Sequence, residues 1–275
     1  MTFSTLDHAP VAVICAMDEE LIHLRTTLPP AHEDWYSRRC SWITSLDDHP
    51  VILCCCGIGM SNAAATTEAV IERYHPAIIL NYGCCGSHRL DLLPGDLVIG
   101  SRLVTPDRVI LDADGSERYT GMWYLHHGIH KKVEYLSCSH SLLELATQTA
   151  STLEGTHEPW PLASGWPSSV PHRSPNVFIG TISTSDRWNR AVDRIAHLVA
   201  LHDSLCEDME AAAIALICES HDVPFLAVKD ISNNEMLQTT SSLRLPVATV
   251  GQIGRRAAAF TFAMLRNYFL QHSRT

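Results

Sequence analysis

The 275-residue chain has no contiguous basic patch to set against its formal net charge of −10. A phosphate backbone would be repelled, which excludes nucleic-acid binding as the main function. No CxxC pair occurs among the ten cysteines, so the usual zinc spacing is missing. Cys54, Cys55 and Cys56, and again Cys84 and Cys85, sit inside apolar runs, as small buried hydrophobes do. Thiols used in this way imply a reducing, cytoplasmic compartment. The N-terminus has no basic region, and its apolar run at 11–16 is too short for a signal core. Gln252, Arg255, Arg256, Arg266 and Asn267 interrupt the apolar stretch 247–270, which predicts a packed amphipathic helix and no membrane span. His126, His127 and His130 have no carboxylate at ligand spacing, and Gly128 interrupts any helix that would align them, so neither a metal nor a cofactor is expected. There is no internal repeat.

What is present is ordinary for a globular protein: 46% hydrophobic and 18% charged residues, in a length that suits one large domain. Strand-like apolar runs recur at 11–15, 51–56, 78–80, 97–99, 177–182 and 225–228. Helix-period segments lie between several of them, at 18–28, at 61–74 with Ser61 or Asn62 as a plausible cap, and at 207–220. Alternation of this kind predicts an α/β sandwich around a parallel or mixed sheet. The segment 156–175, dense in Pro, Ser and His, reads as a surface insertion within a single domain.

Several strand-to-helix junctions carry chemistry, at the edge where open α/β sheets bind ligands. Asp18, Glu19 and Glu20 open the first helix; three acids repel phosphate and suit a carboxylate that takes a proton from water, although acids there also favour the helix dipole. Gly57-Ile58-Gly59 is a tight turn whose backbone N–H groups can cradle a phosphate or a sugar. Gly83 and Gly86 let backbone approach a ligand, and Cys84 between them reads as a buried thiol with no His partner. Trp188 can stack on a base, with Asn189 or nearby backbone reading its edge, or can anchor its loop. The richest stretch is 204–235. It places Asp208 and Glu210 at the mouth of an Ala-rich helix, where a carboxylate can grip two adjacent hydroxyls. The turn Ser232-Asn233-Asn234 then presents polar groups to a flat ring.

Taken in order, AMDEE, GIGMSNAAATT, NYGCCG, LPGDLVI, EDMEAAAIA and VPFLAVKDISNN resemble the nucleoside phosphorylase and nucleosidase superfamily, and within it the 5′-methylthioadenosine/S-adenosylhomocysteine nucleosidases. The resemblance implies a three-layer α/β/α sandwich with a central mixed sheet, a homo-oligomer with a dimer favoured, a purine nucleoside as the small-molecule partner, and cleavage of its N-glycosidic bond. By matching position, Glu20 resembles the acid that activates water, Met209 and Glu210 the pair that holds the ribose, and Trp188 the aromatic that stacks on the purine. Gly59, Gly86 and Ser232 fall in the substrate wall. Cys84 stands where the family commonly has Ser, and Asn233 stands where the base-side Asp normally sits. Asn cannot deliver a proton, which leaves the leaving group short of an acid, marks a preference for 6-oxopurines, or calls for another group. Asp230 and Glu235 are near in sequence, but strand alternation turns Asp230 elsewhere. The acidic first loop favours water over phosphate as nucleophile. The alternatives are a purine nucleoside phosphorylase and a weakly catalytic nucleoside-binding protein.

Overall fold

The computed structural model describes residues 9–153, 171, 173–237 and 251–272; nearly all of the expected insertion at 156–175 lies outside them. Val11–Cys15 (β1) is a continuous apolar run and wholly buried, as a strand covered on both faces must be. It pairs in parallel with His49–Cys55 (β4) on one side and Ile78–Ser87 (β5) on the other. Arg39–Leu46 (β3) and His32–Tyr36 (β2) extend the β4 side as an antiparallel meander. On the other side β5 meets both Ser204–Asp208 (β13) and Phe225–Asn233 (β14). Leu97–Val104 (β6) pairs with β14 and with Val177–Thr184 (β12), and β12 pairs with β13. The ten-stranded mixed sheet therefore closes a five-strand ring through β5, β14, β6, β12 and β13, with Leu136–Ser137 (β11) on the edge of β6.

Helices cover the sheet in two groups. Met60–Tyr74 (α2) packs on Ala211–Ser220 (α5). Asp18–Thr27 (α1) and His140–Leu153 (α3) pack on Arg255–His272 (α6), which lies against β5 and β14. Val192–His202 (α4) packs on β13. The α/β sandwich with a central mixed sheet agrees with the sequence reading. Two details differ. Residues 207 and 208 end a strand, and the helix predicted over 207–220 starts at Ala211. At α2 neither Ser61 nor Asn62 caps; the N-cap is Gly59 at φ 101, and Asn62 Nδ2 donates to the Ile58 carbonyl.

Alternation does turn Asp230 away, with a specific result. Its carboxylate is fully buried and accepts N–H groups from Gly254 (3.1 Å), Arg256 (3.0 Å) and Ala257 (3.3 Å). A strand side chain thus caps α6, whose first N–H groups have no partner within the helix. Burial pushes the Asp230 carboxyl up to about 7, against the pull of those N–H bonds. Asp230→Ala leaves buried N–H groups unpaired and should cost about 1–3 kcal/mol, read as a lower midpoint in denaturant unfolding.

Candidate active site

A cavity of about 350 Å³ opens at the ends of β1, β5, β13 and β14. Glu20, Cys84, Gly86, Trp188, Met209, Glu210, Ser232 and Asn233 line it together, so eight of the nine residues singled out in the sequence converge. Gly59 does not line it; it acts from behind, donating its N–H to Glu210 Oε1 (2.9 Å), while the next N–H, of Met60, goes to Asp186 (2.8 Å). These two amides of the glycine turn are thus engaged by carboxylates of the protein. Glu207 also lines the cavity, and Asp208 with it.

Glu20 is the third residue of α1 and is buried. Its Oε2 accepts the N–H of Ala16 (2.9 Å) and Met17 (3.2 Å), capping its own helix, and Oε1 accepts the N–H of Cys84 (2.8 Å). Tyr82 fixes the backbone by donating to the Glu20 carbonyl (2.8 Å). Two glycines make room: a Cβ at Gly83 would stand 2.6 Å from Oε1, and one at Gly254 2.9 Å from Cγ. A side chain at either position would displace the carboxylate.

Glu210 is buried at the start of α5. Its neighbour Asp208 accepts from Thr184 Oγ1 (2.6 Å) and from the Ala211 N–H (2.9 Å), and lies 2.8 Å from Lys229 Nζ. Burial alone would discharge Lys229, but Asp208, Glu210 and Glu20 together hold its pKa above the usual lysine value. Burial raises Glu210 to about 7, opposed by Lys229 and reinforced by Asp208 and Glu20. Glu20 and Glu210 therefore share one cavity and feel one another's charge.

The wall formed by the ends of β5 and β14 depends on an irregularity. Asp230 and Ile231 pair in register with Cys84 and Cys85, then a bulge skips Ser232 and places Asn233 opposite Gly86. A bulge re-aims the side chains that follow it. Ser232 Oγ donates to Asn233 Oδ1 (2.8 Å), and Asn233 Nδ2 donates to Glu235 Oε1 (3.3 Å). That orientation leaves one amide N–H of Asn233 to offer to a ligand. Asn189 gives its backbone N–H and one Nδ2 hydrogen to the Glu207 carboxylate, which leaves its Oδ1 and one amide N–H. Trp188 and Ile58, both more than half exposed, stand at the rim. The Cys84 thiol is pushed far up by burial and then by Glu20, as a wall residue would be; it is not poised as a nucleophile. Arg25 points away from the site, its guanidinium over the Trp42 ring.

Sequence reasoning missed Glu207 and His88. The signal available for Glu207 was an acid at the last turn of an apolar strand; for His88 there was none. No carboxylate stands at ligand spacing from His126 and His127 in the sequence, but the hairpin Met122–His126 (β9) and Ile129–Val133 (β10) brings their Nε2 atoms to 2.8 and 2.9 Å from Asp222. Asp222 is distant in the chain, so spacing could not find it, and none of the three lines the cavity.

Comparison with known proteins gives one consistent result. A sequence model described as the phosphorylase superfamily matches residues 10–269. The chain is 28% identical over 224 residues to a 5′-methylthioadenosine/S-adenosylhomocysteine nucleosidase of Geobacillus thermodenitrificans, covering 81% of this chain and 83% of that one. It is 29% identical to that of Mycobacterium bovis, covering 81% and 85%. Among solved structures, the Helicobacter pylori 5′-methylthioadenosine/S-adenosylhomocysteine nucleosidase superposes with a TM-score of 0.74 at 20% identity, covering 94% of this chain and 97% of that one. Futalosine hydrolase of the same organism gives 0.73 at 20%, with the same coverage. Fold and sequence agree, and the chain belongs to the phosphorylase superfamily.

Proposed function

We propose that this protein hydrolyses the N-glycosidic bond of a purine nucleoside, of the 5′-methylthioadenosine/S-adenosylhomocysteine type or a 6-oxopurine nucleoside, to free base and a ribosyl product. The observation that carries this reading is the presence of Glu20 and Glu210 in one cavity, each fixed by backbone amides. The names of the curated relatives support the reaction class.

Departure of the base builds positive charge on the ribose. Glu210, ionised, grips the ribose hydroxyls and stabilises that charge, with Met209 packed beneath the sugar. Glu20 accepts a proton from the attacking water. Its oxygens are held by three N–H groups, so the carboxylate does not reorganise as the reaction proceeds. Trp188 stacks on the base, and Asn233 donates its remaining N–H to a base nitrogen or oxygen. An acid cluster of this kind repels phosphate, which favours water as nucleophile over phosphorolysis. We also read the protein as a cytoplasmic homo-oligomer, a dimer, acting in methionine salvage. Free thiols at all ten cysteines suit a reducing compartment, and among the described residues no helix is long and apolar enough to cross a membrane.

The test is a panel of adenosine, inosine, guanosine, methylthioadenosine and adenosylhomocysteine in phosphate-free buffer, followed as free base. Turnover without phosphate is expected; release of base only when phosphate is added would make the enzyme a phosphorylase. Glu20→Gln should lower kcat by about 10²–10⁴-fold while nucleoside still binds, measured by ligand titration. Turnover like that of the wild type would remove Glu20 from the reaction.

Glu210 sets a pH dependence. Only its ionised form stabilises the ribosyl cation, so kcat/KM should fall on the acid side with an apparent pKa of about 7. The same shift acts on stability with a definite sign. The folded protein holds this proton more tightly than the unfolded chain, so the contribution is present at low pH and lost between about 4.5 and about 7. Unfolding titrations of Glu210→Gln should lack that slope; an unaltered slope would place the titration on another group.

A further inference from the structure

Given the nucleosidase reading, we propose that Glu207, backed by His88, is the acid that protonates the departing purine, in place of the carboxyl that Asn233 lacks. Gly86 on β5 is the register partner of Glu207 on β13 and of Asn233 on β14. Register partners present their side chains on one face of a sheet. A Cβ at Gly86 would stand 3.3 Å from Asn233 Nδ2 and 3.5 Å from Glu207 Cγ. The bare strand position is thus flanked by an amide on one side and a carboxyl on the other, and all three line the cavity. A flat ring laid over Gly86 meets both.

Hydrogen-bond accounting places a proton at this pair. Ser204 Oγ directs its own proton to the Cys206 carbonyl (3.1 Å) and accepts from Ser183 Oγ (2.8 Å). Its remaining lone pair faces His88 Nδ1 (2.9 Å), so Nδ1 carries a hydrogen. His88 Nε2 then faces Glu207 Oε2 at 3.2 Å, with both side chains buried. The Glu207 oxygens also accept the backbone and side-chain N–H of Asn189; an unprotonated Nε2 against the carboxylate would set two lone pairs against each other, so one proton resides on Nε2 or on the carboxyl. The contact lies off the line of a good hydrogen bond and leaves Nε2 without an aligned partner, so the proton is not locked between the two groups. The other ionisable groups around the pair are Glu235 and Arg190 beyond Asn233, Asp208 one residue along β13 with its partner Lys229 on β14, and the thiols of Cys85 and Cys206.

In the step, water oxygen bonds to C1′ as the bond from C1′ to the base nitrogen breaks, and that bond's electron pair leaves with the base. Glu207, as the carboxylic acid, gives its proton to the base, and Glu20 takes one from the water. Solvent returns the proton from Glu20 to the Glu207–His88 pair, so nucleoside and water become base and ribosyl product with nothing left over.

Glu207 also clamps Asn189 and with it the Trp188 loop, so the test separates acid from clamp. Wild type, Glu207→Gln and His88→Gln are assayed as the full chain on the purine nucleoside that wild type cleaves fastest and on 7-methylguanosine, whose N7-methylated base leaves without needing a proton. In Glu207→Gln kcat on the ordinary purine nucleoside should drop about 100-fold or more, with little change in KM, and the loss on 7-methylguanosine should be much smaller. His88→Gln should show a smaller loss with the same dependence on the leaving base, and it carries the test if Glu207→Gln does not fold. An equal loss on both nucleosides, or a loss expressed in KM alone, would assign the residue to clamping and overturn the proposal. Absence of wild-type turnover on every purine nucleoside would instead overturn the nucleosidase reading itself.

Discussion

One buried ammonium organises the site. Lys229 is 1% exposed and lies 2.8 Å from Asp208, with the charges of Glu210 and Glu20 close enough to hold it protonated against its burial. Breaking such a pair from one side typically costs about 3–5 kcal/mol, because the partner is left charged and dry. Much follows from where that cation stands. Asp208, neutralised by it, is free to accept the first N–H of α5 and the hydroxyl of Thr184. That fixes the turn from β13 into α5 and therefore the direction of Glu210. Glu210 in turn accepts the Gly59 N–H and ties in the turn that starts α2. Three elements distant in the chain are joined through one charge.

The second organising feature is backbone rather than side chain. Glu20 is held by amides from its own helix turn and from β5, with glycines at 83 and 254 leaving space for it. A group held by fixed dipoles does not spend free energy reorienting when charge develops nearby. The two glutamates are thus built differently. Glu20 is positioned by N–H groups, whereas Glu210 is positioned by one N–H and tuned by surrounding charge. In the proposed reaction the difference suits a base that must accept a proton and an anion that must face a cation.

The base-side wall departs most from the pattern that the sequence resembles. Asn233 holds its amide between Ser232 and Glu235, and in the proposed reaction the acid stands on β13, across β5 from it. Glu207 reaches the same bare glycine from the other side. In the proposed reaction the carboxyl at the base end comes from β13 instead of β14.

Much of the frame was legible before any coordinates. Continuous apolar runs at 11–15 and 51–56 suit strands buried on both faces, and residues 11–15 form β1 as read. The acids after β1 and β13 sit at strand ends because sheets of this kind leave their ligand-binding edge there, so the convergence of Glu20 and Glu210 could be expected from local pattern. Period-based reading failed where pairing, not propensity, set the state. Residues 207 and 208 fall within a helical spacing pattern, yet the ladder with β12 claims them as strand. Short solvent-facing strands such as β2, exposed along most of its length, carry no apolar signal at all. The sequence alone determined the α/β class and the residue types at the site, since burial period and junction chemistry are local. Only the tertiary structure decided that a bulge turns Asn233 toward Gly86, that Asp230 caps the last helix, and that His88 meets Glu207. Those outcomes depend on register between strands far apart in the chain, which no local spacing encodes.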